Sequence, residues 1–382
     1  MLFLALKEVI TIKKILFGIT SLTLGGAERV LVDISNKLSE KYDITIFSIY
    51  DNGELKNDLN KNVKFKALYN CRYDELTKLQ KMWIPIKILL FSKIIYNKKI
   101  KQNYDTEIAF LEGPITRLFS TKNKDVHKIA WIHNDIEKVF GNDLKSKIKK
   151  YIDKKIYKKY NDLVFVSQDN MEKFQNIYND LNTENMHVIY NYIDKDLVIK
   201  KSNYNIKVEF DYNSINFLTV CRLVKQKAID RFIRVHSKLI KQGLKHKVYI
   251  IGDGPEKENL QKLIKQENVE DTFILLGKKE NPYPYIKNAN YFCLLSEFEG
   301  YGMVLEEAKI LNKPIIITNT AARECIENYP KALILENSED EIYDGLYKLL
   351  NDNDDKIFNN TQTSTEYDNT EKLQKIIELV GD

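Results

Sequence analysis

The sequence predicts an α/β protein built from two doubly wound parallel-sheet domains. At 382 residues the chain favours two domains, because a domain usually takes about 100 to 200 residues. Short apolar runs rich in β-branched and aromatic residues alternate with longer segments of helical period, as in βαβ units. This alternation starts anew after a polar, weakly periodic stretch at residues 191–214, which we interpret as the connection between the domains.

Thirteen strands follow from these apolar runs. Seven are predicted in the first half, at residues 14–19, 44–49, 63–68, 106–111, 128–132, 163–166 and 187–190. Six are predicted in the second half, at residues 216–221, 247–251, 272–276, 291–295, 314–318 and 332–335. The predicted domains cover residues 1–195 and 196–365, and a final helix within 366–382 is expected to pack back on the first. Doubly wound sheets bind ligands at the carboxyl ends of their strands, so functional residues are expected there.

Composition limits the class of protein. The 59 basic and 54 acidic residues give a net charge of +5, which does not indicate a nucleic-acid partner. No segment approaches the ~18 uninterrupted apolar residues of a membrane span, and the first residues lack the features of a signal peptide. Four isolated cysteines favour a reducing cytoplasm over a disulfide framework or thiolate metal site: Cys71, Cys221, Cys293 and Cys325.

Two glutamates lie in SEFEGYGMVLEEAKI, residues 296–310, where a buried strand leads into a helix. Glu299 is predicted in the loop after the strand and Glu307 about one turn into the helix, whereas Glu306 points about 100° away from Glu307. Gly300 and Gly302 allow a tight turn beside the helix start. A strand, turn and helix with solvated glutamates is the simpler alternative.

This segment resembles the E-x7-E signature of GT4-type retaining glycosyltransferases, the group 1 family with the GT-B fold. The resemblance implies two Rossmann-like domains facing a cleft. It also implies that Glu299 contacts the hydroxyls of the transferred sugar and Glu307 the ribose of the nucleotide. Gly300, Gly302 and the helix start would face the donor's diphosphate, and Tyr301 between the glycines is a further candidate donor-binding residue.

A second match is FLTVCRLVKQKAIDRFI, which resembles the family's G-R-L-x-x-x-K-G segment. Arg222 follows a strand and Lys227 comes five residues later, which suits two cations converging on a leaving diphosphate. Cys221 and Ala228 stand where the family has glycines. Without the glutamates, two ordinary surface cations would explain the pattern as well.

Two glycine pairs also match the family. Gly252 and Gly254, in VYIIGDGPEKENL, follow a strand at a point where the backbone can approach a nucleotide, although a plain βα turn would look the same. Gly25 and Gly26 precede an amphipathic helix and resemble the family's G-G-A-E loop, which lies against the donor phosphates and the acceptor's entry. Their spacing does not match a dinucleotide-binding G-x-G-x-x-G.

His133 follows the predicted strand 128–132 in KIAWIHND. A lone histidine is more often a structural hydrogen-bonding group than a catalytic one, but the family has a histidine here, near the transferred sugar. The resemblance therefore makes His133 a candidate catalytic residue together with Glu299, Arg222 and Lys227. Together with the strands at 163–166 and 187–190, these matches run in the family's order over about four fifths of the chain.

Three other features carry weaker hypotheses. Asp352-Asn-Asp354 spells a metal-diphosphate motif of a different fold, and we reject it because no strand precedes it. Residues 144–160 are predicted to form a helix with an apolar stripe among lysines. This helix either lies on anionic lipid or docks on the sheet, and we favour docking. Residues 81–101, which carry Trp83 and Phe91 among lysines, are a second segment that could contact a membrane.

The expected function is hexosyl transfer from a nucleotide diphosphate sugar, with a UDP-sugar as the favoured donor. The acceptor would be a glycan or lipid-linked oligosaccharide of bacterial surface polysaccharide synthesis, such as a capsule or lipopolysaccharide. No cofactor is expected and no divalent metal is obligatory, because the two fixed cations would take its place. The expected location is the cytoplasm, at the inner face of the cell membrane. A non-catalytic glycosyltransferase-like partner subunit and a nucleotide-sugar epimerase of the same fold are the alternatives.

Overall fold

The computed structural model describes residues 12–23, 25–51, 53–73, 75–121, 123, 125–133, 144–351, 358 and 367–381. The chain divides into two compact units. Unit 1 consists of Met1–Tyr192 together with Thr370–Asp382, and unit 2 is Ile193–Asn369. The division thus falls at 192/193, where the sequence predicts 195/196, and the last segment of unit 1 starts at residue 370 instead of 366.

Unit 1 contains a seven-stranded parallel sheet in the order β3-β2-β1-β4-β5-β6-β7. Its strands are β1 Lys14–Ile19, β2 Asp43–Tyr50, β3 Lys64–Tyr69, β4 Thr106–Ala109, β5 His127–Ile132, β6 Asp162–Phe165 and β7 Met186–Val188. The described helices of this unit are α1 Gly26–Leu38, α2 Lys78–Ile95, α3 Pro114–Phe119, α4 Leu144–Tyr157 and α5 Gln168–Ile177.

Unit 2 contains a six-stranded parallel sheet in the order β10-β9-β8-β11-β12-β13. Its strands are β8 Ile215–Val220, β9 His246–Ile251, β10 Phe273–Gly277, β11 Tyr291–Leu294, β12 Ile315–Thr318 and β13 Ala332–Leu335. The described helices are α6 Lys195–Ser202, α7 Ile229–Lys241, α8 Lys257–Glu267, α9 Tyr283–Asn288, α10 Met303–Ile310 and α11 Glu339–Asn351.

The two sheets share one strand order. In each, the chain winds outward from the first strand through the third and then returns to add the fourth on the other side. This is the doubly wound Rossmann-like arrangement, and its strand order reverses between β1 and β4 and between β8 and β11. The prediction of two such domains is confirmed. The loops at the carboxyl ends of these neighbouring strands are where ligands of this fold bind.

The final helix, α12 Thr370–Gly381, belongs to unit 1. Ile376 and Val380 are buried, and the hydroxyl of Thr106, at the start of β4, donates a hydrogen bond to the main-chain oxygen of Val380 at 3.0 Å. A β-carbon at Gly381 would lie 2.6 Å from the hydroxyl oxygen of Tyr42. The helix end therefore packs closely on the first sheet.

The predicted connection contains a helix. Residues 191–214 look polar and weakly periodic, yet α6 lies within them. The Asp194 carboxylate accepts a hydrogen bond from the backbone nitrogen of Leu197 at 2.9 Å, which caps the helix start. The helix sequence KDLVIKKS is rich in lysine and has little apolar period. The start of this helix is therefore marked by its capping residue more than by an apolar stripe.

Helix α4 docks on unit 1 through only part of its apolar stripe. Ile156 and Tyr160 are buried and Ile152 packs against the core, which is the docking arrangement that the sequence analysis favours. Ile148, one turn closer to the helix start, is 52% exposed. The stripe therefore leaves the core at its N-terminal end.

A chain of hydrogen bonds between two buried histidines lies in unit 2. His246 Nδ1 lies 2.9 Å from the oxygen of Leu244, so this nitrogen carries the proton. Its Nε2 must then accept from His236 Nδ1 at 2.8 Å, and His236 Nε2 lies 2.8 Å from the hydroxyl of Thr272. Burial lowers the pKa of His236 to about 2 and that of His246 to about 4.

This pair should make the protein less stable in mild acid. The unfolded chain binds more protons than the folded one below about pH 6.5, so the stability is complete above that pH and falls as the pH decreases. Because the two histidines gain protons only in the unfolded chain, the free energy of unfolding measured in urea should be about 2–3 kcal/mol lower at pH 5.5. The double variant His236→Gln/His246→Gln, which does not titrate, should show a shallower dependence on pH; parallel curves would contradict this account.

Candidate functional site

The candidate site of unit 2 lies where the strand order reverses. β8 ends at Val220 and β11 ends at Leu294, and the two strands are neighbours. The loop after β8 carries Arg222 and Lys227, and the loop after β11 carries Glu299. Because parallel strands place their carboxyl ends at one edge, these residues, distant in sequence, lie at the same edge of the sheet.

Glu299 and Lys227 form an ion pair. The Lys227 ammonium contacts Glu299 Oε1, and the hydroxyl of Ser296 donates to the same oxygen at 2.6 Å. The side chain of Glu299 is 8% exposed and that of Lys227 is 17% exposed. A charge-assisted hydrogen bond at such a partly buried place is stronger than one in water, so the pair fixes the position of the carboxylate.

Main-chain contacts reinforce this pair. The backbone nitrogen of Glu297 donates to the oxygen of Gln226 at 2.9 Å, and the Gln226 side-chain amide donates to the oxygen of Phe298 at 2.9 Å. Gln226 lies in the 3-10 turn Lys225–Lys227, which leads into α7 through Ala228 at φ 48°. Two hydrogen bonds next to the ion pair therefore also join the two loops.

Arg222 remains accessible beside the pair. Its side chain is exposed and makes no hydrogen bond or ion pair within the described part of the chain. The guanidinium can thus take an anionic ligand in bidentate fashion. The neighbouring Cys221 is not a nucleophile: burial raises the pKa of its thiol to about 12, and nearby Lys227 opposes that shift without reversing it.

Glu307 and Glu306 face different surroundings, as their predicted directions require. Glu307 Oε1 accepts a hydrogen bond from the hydroxyl of Tyr283 at 3.1 Å, so its carboxylate is held beside α9. Glu306 is 1% exposed. It accepts a hydrogen bond from the hydroxyl of Tyr301 and lies 3.4 Å from the ammonium of Lys309. Only Glu307 of the two is placed to meet a ligand.

Gly302 and Tyr301 fix the turn that precedes α10. Gly302 caps the helix start at φ 69°, a left-handed conformation that favours glycine. Tyr301 beside it is 5% exposed and directs its hydroxyl inward to Glu306. Gly300 precedes them in the same turn. The N-terminus of α10, whose backbone N–H groups suit an anion, is thus held by a buried tyrosine.

Gly252 and Gly254 approach another loop of the protein. A β-carbon at Gly252 would lie 1.8 Å from the oxygen of Cys221, and one at Gly254 would lie 2.3 Å from the oxygen of Leu223. The backbone nitrogen of Leu223 donates to the oxygen of Asp253 at 3.0 Å. Both glycines therefore support the loop that presents Arg222.

Gly25 and Gly26 lie in unit 1, at the start of α1. Gly25 is the N-cap residue, with an extended backbone (φ −156°), and both glycines are exposed. The Glu28 carboxyl folds back over this start, since a β-carbon at Gly25 would lie 2.2 Å from Glu28 Oε2. Burial raises the pKa of Glu28.

His133 lies at the end of β5 in unit 1. Its backbone nitrogen donates to Glu112 Oε1 at 2.8 Å, and its ring packs against Phe110 with centroids 4.8 Å apart. Burial lowers the pKa of His133 to about 3, so the imidazole is neutral near pH 7. Its Nε2 is buried without a hydrogen-bond partner among the described residues, and the ring can therefore serve as a neutral hydrogen-bonding group.

No metal-binding cluster is found in the described ranges. No group of three or more histidine, cysteine, aspartate or glutamate residues is placed there to hold an ion. Asp352 and Asp354, the rejected metal motif, lie outside the described residues. That transfer needs no metal or cofactor stays a prediction.

Comparisons with known proteins agree with this fold. Residues 200–365 match the family model described as glycosyl transferases group 1. The N-acetylgalactosamine-N,N'-diacetylbacillosaminyl-diphospho-undecaprenol 4-alpha-N-acetylgalactosaminyltransferase of Campylobacter jejuni is 28% identical over 342 residues, covering 87% of this chain and 89% of that protein. The O-antigen biosynthesis glycosyltransferase WclY of Escherichia coli is 24% identical over 318 residues, 80% of each chain.

Among solved structures, HepE of Anabaena in complex with UDP and glucose superimposes with a TM-score of 0.73 at 17% identity, covering 96% of this chain and 98% of that one. The fold is therefore that of the GT-B glycosyltransferases, with two Rossmann-like domains. Residues 200–365 are thus similar to the group 1 glycosyltransferases, and with its relatives named as glycosyltransferases the chain is a glycosyltransferase enzyme.

Several residues of the site give no signal in the sequence. Ser296, Gln226 and Tyr283 hold the two glutamates, but each is an ordinary residue in a short motif. In the sequence, Glu306 looks like a solvent-exposed helix residue, but in the structure it is nearly fully buried. Its only signal is the nearby Tyr301, a polar aromatic residue that needs a partner when buried.

The glycine contacts lead to a stability prediction. Gly252→Ala should destabilise the protein by at least ~3 kcal/mol, because the left-handed φ of 148° and the contact with Cys221 both oppose a β-carbon. Gly243→Ala is the matched control, since Gly243 also has a positive φ of 82° but meets nothing within 4 Å; it should cost only ~1 kcal/mol. Urea unfolding measures both, and equal losses would show that contact with the Arg222 loop is unimportant.

Proposed function

We propose that the protein transfers a hexose or N-acetylhexosamine from a nucleotide diphosphate sugar to a hydroxyl of a glycan or lipid-linked oligosaccharide, with retention at the anomeric carbon. The observation that carries this proposal is the Lys227–Glu299 ion pair at the strand-order reversal of unit 2, with the exposed Arg222 on the same loop. The site thus combines two cations with a fixed carboxylate, as transfer from a sugar diphosphate requires.

A donor would exchange partners within this pair. A diphosphate binding at Arg222 and Lys227 offers the ammonium a stronger anion than a single carboxylate. Glu299 would then be released to accept hydrogen bonds from vicinal hydroxyls of the sugar, while Ser296 still holds it in place. Glu307, held by Tyr283, would bind the ribose hydroxyls. The two fixed cations would stabilise the charge that develops on the departing diphosphate.

The proposed chemistry retains configuration without a glycosyl-enzyme. A covalent intermediate needs a carboxylate positioned for attack on the anomeric carbon, whereas Glu299 in the donor complex would be held by Ser296 and by the hydroxyls of the sugar. We therefore favour attack by the acceptor hydroxyl from the side of the leaving group. The diphosphate oxygen would take the hydroxyl proton as the sugar–oxygen bond breaks.

The relatives support the choice of substrates. HepE of Anabaena is solved with UDP and glucose, which favours a UDP-sugar donor for this chain. The name of the Campylobacter jejuni relative includes a diphospho-undecaprenol-linked acceptor, and the name of WclY includes O-antigen biosynthesis. These names favour a lipid-linked acceptor of bacterial surface polysaccharide synthesis, such as a capsule or lipopolysaccharide, used at the cytoplasmic face of the membrane.

Nucleotide binding tests the donor site. Calorimetric titration with UDP, GDP and ADP should show one preferred base, with UDP expected. Glu307→Ala should weaken that nucleotide's binding about 10- to 100-fold, because a charged hydrogen bond contributes about 1.5–3 kcal/mol. The control Glu327→Ala changes an exposed glutamate of the same unit and should bind normally. No binding of any nucleotide would favour the non-catalytic partner subunit instead.

The stereochemistry of transfer is tested separately. With the preferred donor and a simple acceptor, the product should keep the anomeric configuration of the donor sugar, as read from NMR coupling constants. Arg222→Met should lower kcat by about 100- to 1000-fold, since it removes one charge that stabilises the leaving group. An inverted product, or an Arg222 variant with unchanged kcat, would contradict this mechanism.

A further inference from the structure

Helix α2 of unit 1 presents an apolar face to solvent. Ile84 and Ile88 are buried against the core, as expected for one side of an amphipathic helix. On the other side, a second apolar stripe runs for about 16 Å from Leu79 to Leu90 at a rise of 1.5 Å per residue, and it continues to Ile94 beyond a kink at Phe91 (φ −116°, ψ 18°). Its members are 38–68% exposed: Leu79, Trp83, Ile86, Leu90 and Ile94.

This helix is held in place at both ends. At its start, Thr77 and Gln80 form a capping box, in which the Thr77 hydroxyl accepts from the Gln80 backbone and Gln80 Oε1 accepts from the Thr77 backbone at 2.9 Å. At its end, the hydroxyl of Tyr96 donates to Glu107 at 2.6 Å, and the same buried carboxylate lies 2.6 Å from the Lys128 ammonium. The exposed stripe is therefore a fixed surface.

The charge around the stripe has one sign. Residues 78–101 include no aspartate or glutamate, and they include the lysines Lys78, Lys81, Lys87, Lys93, Lys98, Lys99 and Lys101. Lys87 and Lys93 are exposed beside the stripe. An apolar row flanked by lysines matches an anionic lipid surface, in which apolar side chains enter the acyl boundary and ammonium groups meet the headgroups.

Helix α4 extends this surface. Both α2 and α4 pack against α3, and α3 is joined to α4 by an ion pair between Arg117 and Asp153 at 2.9 Å. Ile148 and Tyr151 of α4 are 52% and 60% exposed, and lysines surround them in the sequence. Two neighbouring elements thus expose apolar groups among lysines.

We propose that α2, together with Ile148 and Tyr151 of α4, is a docking surface for an anionic lipid bilayer. No helix of the described chain is long and apolar enough to cross a membrane, so α2 would lie along the bilayer surface. A second copy of the chain fits this surface poorly, because two such faces would bring their lysines together without acidic partners. The proposal extends the proposed function, which requires access to a lipid-linked acceptor.

The protein carries its own fluorescent probe for this test. It has two tryptophans: Trp83 is 58% exposed within the stripe and Trp131 is 1% exposed in the core. Vesicles of phosphatidylglycerol mixed into phosphatidylcholine should shift the emission to shorter wavelength, and brominated acyl chains should quench it. Vesicles of phosphatidylcholine alone should have little effect. Trp83→Phe should abolish the change, which assigns it to α2.

Matched variants separate the two contributions. Leu90→Ser/Ile94→Ser should weaken vesicle co-sedimentation on the order of tenfold, and Lys87→Gln/Lys93→Gln on the order of tenfold or more, with a reduced salt dependence. The controls are Ile206→Ser and Lys207→Gln/Lys262→Gln, which change exposed residues of unit 2 and should bind like the unaltered protein.

Three outcomes would overturn the proposal. These are an unchanged emission with anionic vesicles, equal binding by α2 and control variants, and a blue shift that depends on protein concentration without lipid. The last would assign the face to a second copy of the chain. Since vesicle binding is measured without donor or acceptor, its failure would leave nucleotide binding and transfer intact, and the two proposals are tested independently.

Discussion

The ion pair between Lys227 and Glu299 is the interaction on which the donor site depends. It joins the loop after β8 to the loop after β11, and these loops have no other reason to meet than the neighbouring positions of their strands. Gln226 also joins the two loops, and Ser296 holds Glu299 from within its own loop. A carboxylate so held needs little rearrangement when a ligand arrives, which is what electrostatic preorganisation requires.

The cations of the site depend in turn on close backbone packing. The Arg222 loop lies against the turn that contains Gly252 and Gly254, at distances that leave no room for a β-carbon. Ala228, at φ 48°, holds a left-handed conformation that costs such a residue about 1–2 kcal/mol, and it stands directly after Lys227. Backbone strain and close contacts are thus concentrated around the two cations, as is common at functional sites.

The sequence was sufficient for the strands, since all thirteen apolar runs correspond to strands of the two sheets. Buried parallel strands are nearly continuous runs of β-branched and aromatic residues, and this signal is local. Helix α6 was missed because its lysine-rich sequence has little apolar period.

The partners within the site could not be predicted for a similar reason. That Gly252 approaches a nucleotide stays a prediction, and its close contact with the carbonyl of Cys221 gives no signal in the sequence. Likewise, the burial of Glu306 depends on Tyr301 and Lys309, and the exposure of Ile148 depends on where the core ends. These are tertiary facts, and no local period encodes them.

The place of α12 has a consequence for the order in which the protein can form. Unit 1 is built from both sides of unit 2 in the sequence, and Thr106 finds its buried partner at Val380. During synthesis, which proceeds from the N-terminus, every residue of unit 2 is made before that partner exists. Unit 1 is therefore the first unit to be synthesised and the last to be completed. Until α12 is made, the surface of its sheet that α12 covers has no partner.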